Sequence, residues 1–123
     1  MITLSQQIPL KEIVKNYFEK KYLYTEINKF LVGKSGQKWN FDSVIKLSDE
    51  KNECAEFGVF IKDWNRSIGV NQVRLLEKAC VDMGFTGGLI IGNNFSCHAK
   101  TYGANKGVQL VTKSELVYKS RYS

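Results

Sequence analysis

Cysteine and histidine are the residues most often found binding metals or attacking electrophiles, and this chain holds three cysteines and one histidine. Cys54, Cys80 and Cys97 are odd in number and widely spaced, with no C-x-x-C pair and only His98 as a further ligand of that kind. That pattern argues against a zinc site, and a free cysteine mostly behaves as a small buried hydrophobe. Adjacent Cys97 and His98 are weak evidence for nucleophilic catalysis, since a nucleophile and its base meet in space rather than in sequence. Taken alone, Asp42 reads as an aspartate at a strand end and Lys62 as a lysine at a strand edge. Trp64, between a strand and a helix, either packs against the domain or stacks on a base or sugar. Asn93 and Asn94, just before a helix start, either form a capping turn or aim amide donors at a phosphate.

The charged residues say more through their distribution. The formal net charge is +6. Residues 1–47 carry eight Lys against four acids, and residues 65–123 carry eight Lys or Arg against three. Between them, residues 48–64 hold two Lys against five acids: Asp49, Glu50, Glu53, Glu56 and Asp63. Basic flanks around a more acidic hairpin suit an anionic polymer, because phosphate neutralisation with counterion release dominates such binding. The same charges also fit an ordinary solvated lysine surface.

The elements that position these residues follow from periodicity and punctuation. Pro9 can open a helix, and Leu10, Ile13, Val14, Tyr17 and Phe18 recur at helical spacing over 10–23, with Lys11, Lys15, Lys20 and Lys21 largely opposite. Strands are expected over 25–32, 38–47 and 53–62, separated by turns at 33–36 and 49–52. They form a meander. A helix over 70–83, stopped by Gly84, leads to a short apolar strand over 87–91. A helix over 96–105, a last strand over 108–111 and a closing helix over 113–119 complete the order αβββαβαβα. Strands joined through helices need right-handed crossovers, so the second half adds parallel strands to an antiparallel start. The expected fold is α/β, a central mixed sheet with helices on both faces.

A chain of 123 residues fits one domain, with its core over about 10–117. No repeat or low-complexity tract interrupts it, and no apolar run approaches the ~20 residues of a membrane-spanning helix. The first nine residues lack the basic and apolar regions of a secretory signal, so the expected location is intracellular, in the cytoplasm or the nucleoid or nucleus.

Several short motifs, in this order and spacing, resemble the Mrr-like branch of the restriction-endonuclease-like PD-(D/E)XK superfamily. They are Gly33-Lys34-Ser35-Gly36, Phe41-Asp42-Ser43-Val44, Phe60-Ile61-Lys62-Asp63-Trp64 and Ile68-Gly69-Val70, followed by Met83-Gly84-Phe85, Gly88-Leu89-Ile90-Ile91, Phe95-Ser96 and Gly107-Val108-Gln109-Leu110. The likeness covers roughly residues 10 to 117. It implies a restriction-endonuclease-like single domain and, where active, magnesium-dependent hydrolysis of DNA phosphodiester bonds, in which a divalent cation polarises the phosphate and supplies hydroxide.

In that family an aspartate and an acid or glutamine two residues before a lysine hold the metal from neighbouring strands. Here Asp42 matches the aspartate and Lys62 the lysine, while Glu12 matches an accessory helical acid. Phe60 stands where the acid or amide belongs, and phenylalanine cannot ligate magnesium. Glu56, four residues away on the same face, lies about 13 Å off at ~3.3 Å per residue. Asp63 points to the opposite face unless a bulge turns it. Trp39 replaces a frequent histidine. The metal site therefore reads as degenerate, with Asp42 its remaining metal ligand.

The favoured function is a nucleic-acid-binding domain with a nuclease-like fold, with DNA preferred over RNA. Lys34, Lys38, Arg66 and Arg74 join Lys62 beside the expected site as phosphate contacts. An active magnesium-dependent endonuclease and a non-catalytic protein-interaction subunit are the alternatives. A chain this small is expected to act as a homodimer or beside a protein partner.

Overall fold

A computed structural model describes residues 8–48 and 54–122. The expected turn over 49–52 and the acids Asp49, Glu50 and Glu53 lie outside them. The elements run α1 (Leu10–Glu19), β1 (Leu23–Glu26), β2 (Leu31–Val32), β3 (Lys38–Trp39), β4 (Ser43–Ser48), β5 (Cys54–Lys62), α2 (Val70–Met83), β6 (Gly87–Gly92), α3 (Cys97–Lys106), β7 (Val108–Thr112) and α4 (Lys113–Tyr122). Five strands form one sheet in the order β1-β4-β5-β6-β7, and β2 and β3 form a separate ribbon. β4 pairs antiparallel with β1 and β5, whereas β5-β6 and β6-β7 are parallel. The mixed α/β sheet expected from the element order is present.

Each face of the sheet carries its own apolar layer. Phe60 and Ile90 pack with Val73, Leu76, Ala79 and Cys80 of α2, and with Trp39, Phe41 and Ala99. Val59, Ile61, Leu89 and Ile91 pack on the opposite side with Leu10, Ile13, Val14 and Phe18 of α1 and with Leu116 of α4. Burial pushes the Cys80 thiol up to about 12, so that sulfur is part of the packing rather than a nucleophile. Cys54 and Cys97 are exposed free thiols.

Three expected boundaries move. The first helix ends at Glu19 instead of continuing to Leu23. The amides of Lys21 and Tyr22 both donate to the Phe18 carbonyl, closing the last turn, and Leu23 opens β1. The single strand expected over 25–32 is two, β1 and β2, and the one expected over 38–47 is β3 and β4, which belong to different sheets. No Gly or Pro interrupts either run, so nothing local marks the break.

A tertiary contact sets it instead. Asp82, near the end of α2, accepts from the Ser35 amide at 2.9 Å, the Ser35 hydroxyl at 2.7 Å and the Trp39 indole N–H at 2.7 Å. The Lys34 amide adds a bond to the Asp82 carbonyl at 2.9 Å. These bonds draw the ribbon onto α2. Gly33 is required there, because a Cβ at that position would lie 2.0 Å from Asp82 Oδ2.

Bonds from Trp39 first and Ser35 second hold the Asp82 carboxyl below its ordinary range. The folded pKa is therefore depressed, so the tether's contribution is complete above the unfolded value of about 3.9. It is lost as pH falls through the lower folded value. Hydrogen exchange should show the Ser35 amide losing protection in acid in the wild type and lacking it at neutral pH in Asp82→Ala. Protection equal in the two proteins at neutral pH would contradict the tether.

Candidate functional site

β5 is the strand from which the site is built. From Gly58 to Ile61 its residues alternate between two buried layers, and Lys62 at its end is partly exposed. Asp42 immediately precedes β4, whose first residue, Ser43, pairs with Val59 of β5. The Asp42 amide donates to the Val59 carbonyl at 3.0 Å, and the Ile27 amide donates to the Asp42 carbonyl at 3.1 Å. Asp42 Oδ2 then accepts from the Ile61 amide at 2.7 Å. The carboxylate thus takes the ladder position that a main-chain carbonyl of β4 would otherwise fill. Its other oxygen, Oδ1, lies 3.4 Å from Lys11 Nζ on α1.

Phe60 goes into the apolar layer beneath α2. It is 3% exposed, with its ring 5.7 Å from that of Phe41. Phe41 in turn lies over Gly58, where an added Cβ would be 2.3 Å from the Phe41 ring. The Lys62 ammonium projects from the same strand end and lies 5.1 Å from the Phe60 ring centroid and 5.7 Å from that of Trp64. The Arg66 guanidinium rests 4.6 Å from the same Trp64 ring. Asp42, Lys62 and Arg66 therefore gather around the carboxyl end of β5.

The other residues singled out by sequence are more scattered. Glu12 is exposed on α1, beside Lys11, in a groove shared with Lys15, Asn16, Glu19 and Glu26. Arg74 lies against Tyr102 of α3, 5.2 Å from the ring centroid. Lys34 and Lys38 sit on the ribbon, and Lys34 lies against Gly84 just past the end of α2. The start of α2, which follows Arg66, is about 18 Å from Asp82 at ~1.5 Å per residue. The structure therefore does not bring Lys34 beside Lys62. Asp63 is held by Asn93, whose Nδ2 donates to its Oδ1 at 3.0 Å and to the Trp64 carbonyl at 2.8 Å. Ser96 supplies the helix cap, accepting from the Ala99 amide at 3.1 Å. Sequence reasoning did not find Lys11 or Asn93 in these roles, because both are defined by contacts distant in the chain.

Magnesium takes a near-octahedral set of oxygens, most often with one or two carboxylates among them. Asp42 offers a single carboxylate, with one oxygen on the Ile61 amide and the other facing an ammonium. Phe60 contributes hydrocarbon, and among the described residues no group of three or more His, Cys, Asp and Glu side chains is placed to hold a metal ion. The described residues do not fit the ion. Asp42 does have a structural role, as the acceptor for the Ile61 amide, and Asp42→Asn should retain that acceptor. Asp42→Ala leaves the buried donor unsatisfied and should cost about 1–3 kcal/mol in urea unfolding. Equal stability of the two variants would contradict that role.

A restriction endonuclease family model of the Mrr catalytic type matches residues 8–119. No curated protein matches the sequence significantly. Three solved structures share the fold. The protein of unknown function AF1548 aligns with a TM-score of 0.72 and 19% identity, over 89% of this chain and 64% of that one. The DNA modification-dependent restriction endonuclease AspBHI aligns with a TM-score of 0.57 and 13% identity, over 95% and 37%. The MspJI restriction endonuclease, in complex with a 27-mer oligonucleotide, aligns with a TM-score of 0.56 and 20% identity, over 86% and 25%. The chain thus spans less than two thirds of the length of each. No helix among the described residues is long and apolar enough to cross a membrane. With a family match over nearly the whole sequence and a mixed sheet shared with these enzymes, the chain belongs to the Mrr-type restriction endonucleases of the PD-(D/E)XK superfamily.

Proposed function

We propose that this domain binds nucleic acid, DNA in preference to RNA, through a nuclease-like fold whose metal site is degenerate. The observation that carries the reading is the state of the two ligand positions. Asp42 is committed to the Ile61 amide and faces Lys11, and Phe60 is buried in the core where the family places its second ligand. Binding asks less of geometry than catalysis does. A long cation can neutralise a phosphate from many positions, whereas hydrolysis needs a metal held at a defined place. Lys62 and Arg66 at the strand end, with Arg74 on α2, supply such cations, and the net charge of +6 favours an anionic partner.

In this reading Asp42 completes the sheet and Lys62 provides positive charge without serving a metal-bound water. Specificity would come from a second copy or from a protein partner. Family membership favours the active endonuclease as the second reading, so one experiment addresses both. Labelled single- and double-stranded DNA and RNA are incubated with the protein and magnesium or manganese over a range of salt, and cleavage and gel shift are scored together. The expected result is a salt-sensitive shift without cleavage. Three phosphate contacts imply a log–log salt slope of roughly −2.7 on duplex DNA, at about 0.9 per contact. Cleavage abolished both by EDTA and by Asp42→Ala would overturn the degenerate-site reading. Neither shift nor cleavage would favour a protein-interaction subunit.

A further inference from the structure

At the carboxyl end of β5 the cations rest on an aromatic ring rather than on carboxylates. Both Lys62 and Arg66 lie against Trp64. The ion pairs among the described residues involve Lys11 and Lys15 and neither of these two. Asp63 lies between them in sequence, yet its Oδ1 is held by the Asn93 amide, which also fixes the Trp64 carbonyl. Asn93 thus holds the tryptophan's main chain and engages the acid best placed in the chain to neutralise the two cations. Trp64 packs partly against the core layer beneath α2, so its ring is already positioned. On the neighbouring helices Arg74 and Lys106 lie 5.2 and 6.0 Å from the Tyr102 ring centroid, but there the Tyr102 hydroxyl donates to the Glu77 carboxylate, so that cluster carries its own acid. α2 and α3 begin side by side there, because Ile68 and Phe95 form a parallel bridge.

An exposed cation on an aromatic ring is held more weakly than a cation on a phosphate or a base stacked on a ring. A single strand offers both stronger contacts. Its phosphate can draw the Arg66 guanidinium away, and its base can then take the vacated ring face. A duplex offers the phosphate alone, because its bases are stacked inside and only their edges reach the grooves. Resting on the reading of the chain as a nucleic-acid-binding domain, we propose that Trp64, flanked by Lys62 and Arg66, is a stacking platform for an unpaired nucleotide of single-stranded DNA.

The test is fluorescence anisotropy with labelled oligo(dT) and with a duplex of the same length, joined to intrinsic tryptophan fluorescence. Wild type should bind oligo(dT) more tightly than duplex, with its tryptophan emission quenched on binding. Trp64→Leu should weaken oligo(dT) binding about tenfold, remove the quenching and leave duplex binding nearly unchanged, while Trp64→Phe keeps most of the affinity. Arg66→Gln, in an exposed connection, removes a phosphate contact open to both and should weaken oligo(dT) and duplex alike, while the retained affinity of Trp64→Phe guards against a folding defect. If both nucleic acids bind and Trp64→Leu does not alter the preference between them, the platform is overturned while nucleic-acid binding stands. If neither nucleic acid binds, both readings fall.

Discussion

The pleat of β5 governs what this domain can do. The strand is buried on both faces, so each of its central side chains enters one of two apolar layers and has no third choice. Val59 and Ile61 go under α1 and α4, and Phe60 goes under α2, with relative exposures of 0%, 7% and 3%. Past this buried stretch, Lys62 is again partly exposed. A carboxylate in place of Phe60 would require water or an ion in that layer to offset its desolvation. Phenylalanine instead closes it: Phe60 packs on Phe41, which can lie there because Gly58 has no side chain.

The interactions observed at the strand end hold structure. Asp42 terminates the pairing of β4 with β5 by taking the Ile61 amide, so an aspartate kept at this position has a reason independent of a metal. Its ion pair with Lys11 is a surface one, 71% exposed on the lysine side, and contributes little to stability. Lys62, Arg66 and Arg74 lie against aromatic rings, and the proposed binding rests on these three cations.

The framework was legible in the sequence wherever periodicity and punctuation agree. Val70–Met83 ends at Gly84 in the left-handed conformation, as the placement of that glycine implies, and Gly107 closes α3 in the same way. The parallel second half follows from helices alternating with short apolar strands. The ribbon was not legible, because runs 25–32 and 38–47 carry no local break. Their division depends on Asp82, whose partners Ser35 and Trp39 are 47 and 43 residues away in the chain. Motif spacing singled out Asp42 and Lys62 as site residues; in the structure Asp42 accepts from the Ile61 amide, one residue before Lys62 ends β5. Lys34 and Lys38 were grouped with them because they lie on or beside turns expected to flank the site. The roles of Lys11 and Asn93 carried no signal, since they act through contacts about 30 residues away in the chain.

The proposed reading depends on the carboxylate at the head of β4 serving the sheet and an ammonium rather than a divalent ion. Calorimetric titration of the protein with manganese, compared with Asp42→Asn, addresses it directly. The same weak, non-stoichiometric heats are expected for both proteins. One ion bound per chain in wild type and lost in Asp42→Asn would contradict that expectation and return the domain to the metal-dependent nucleases.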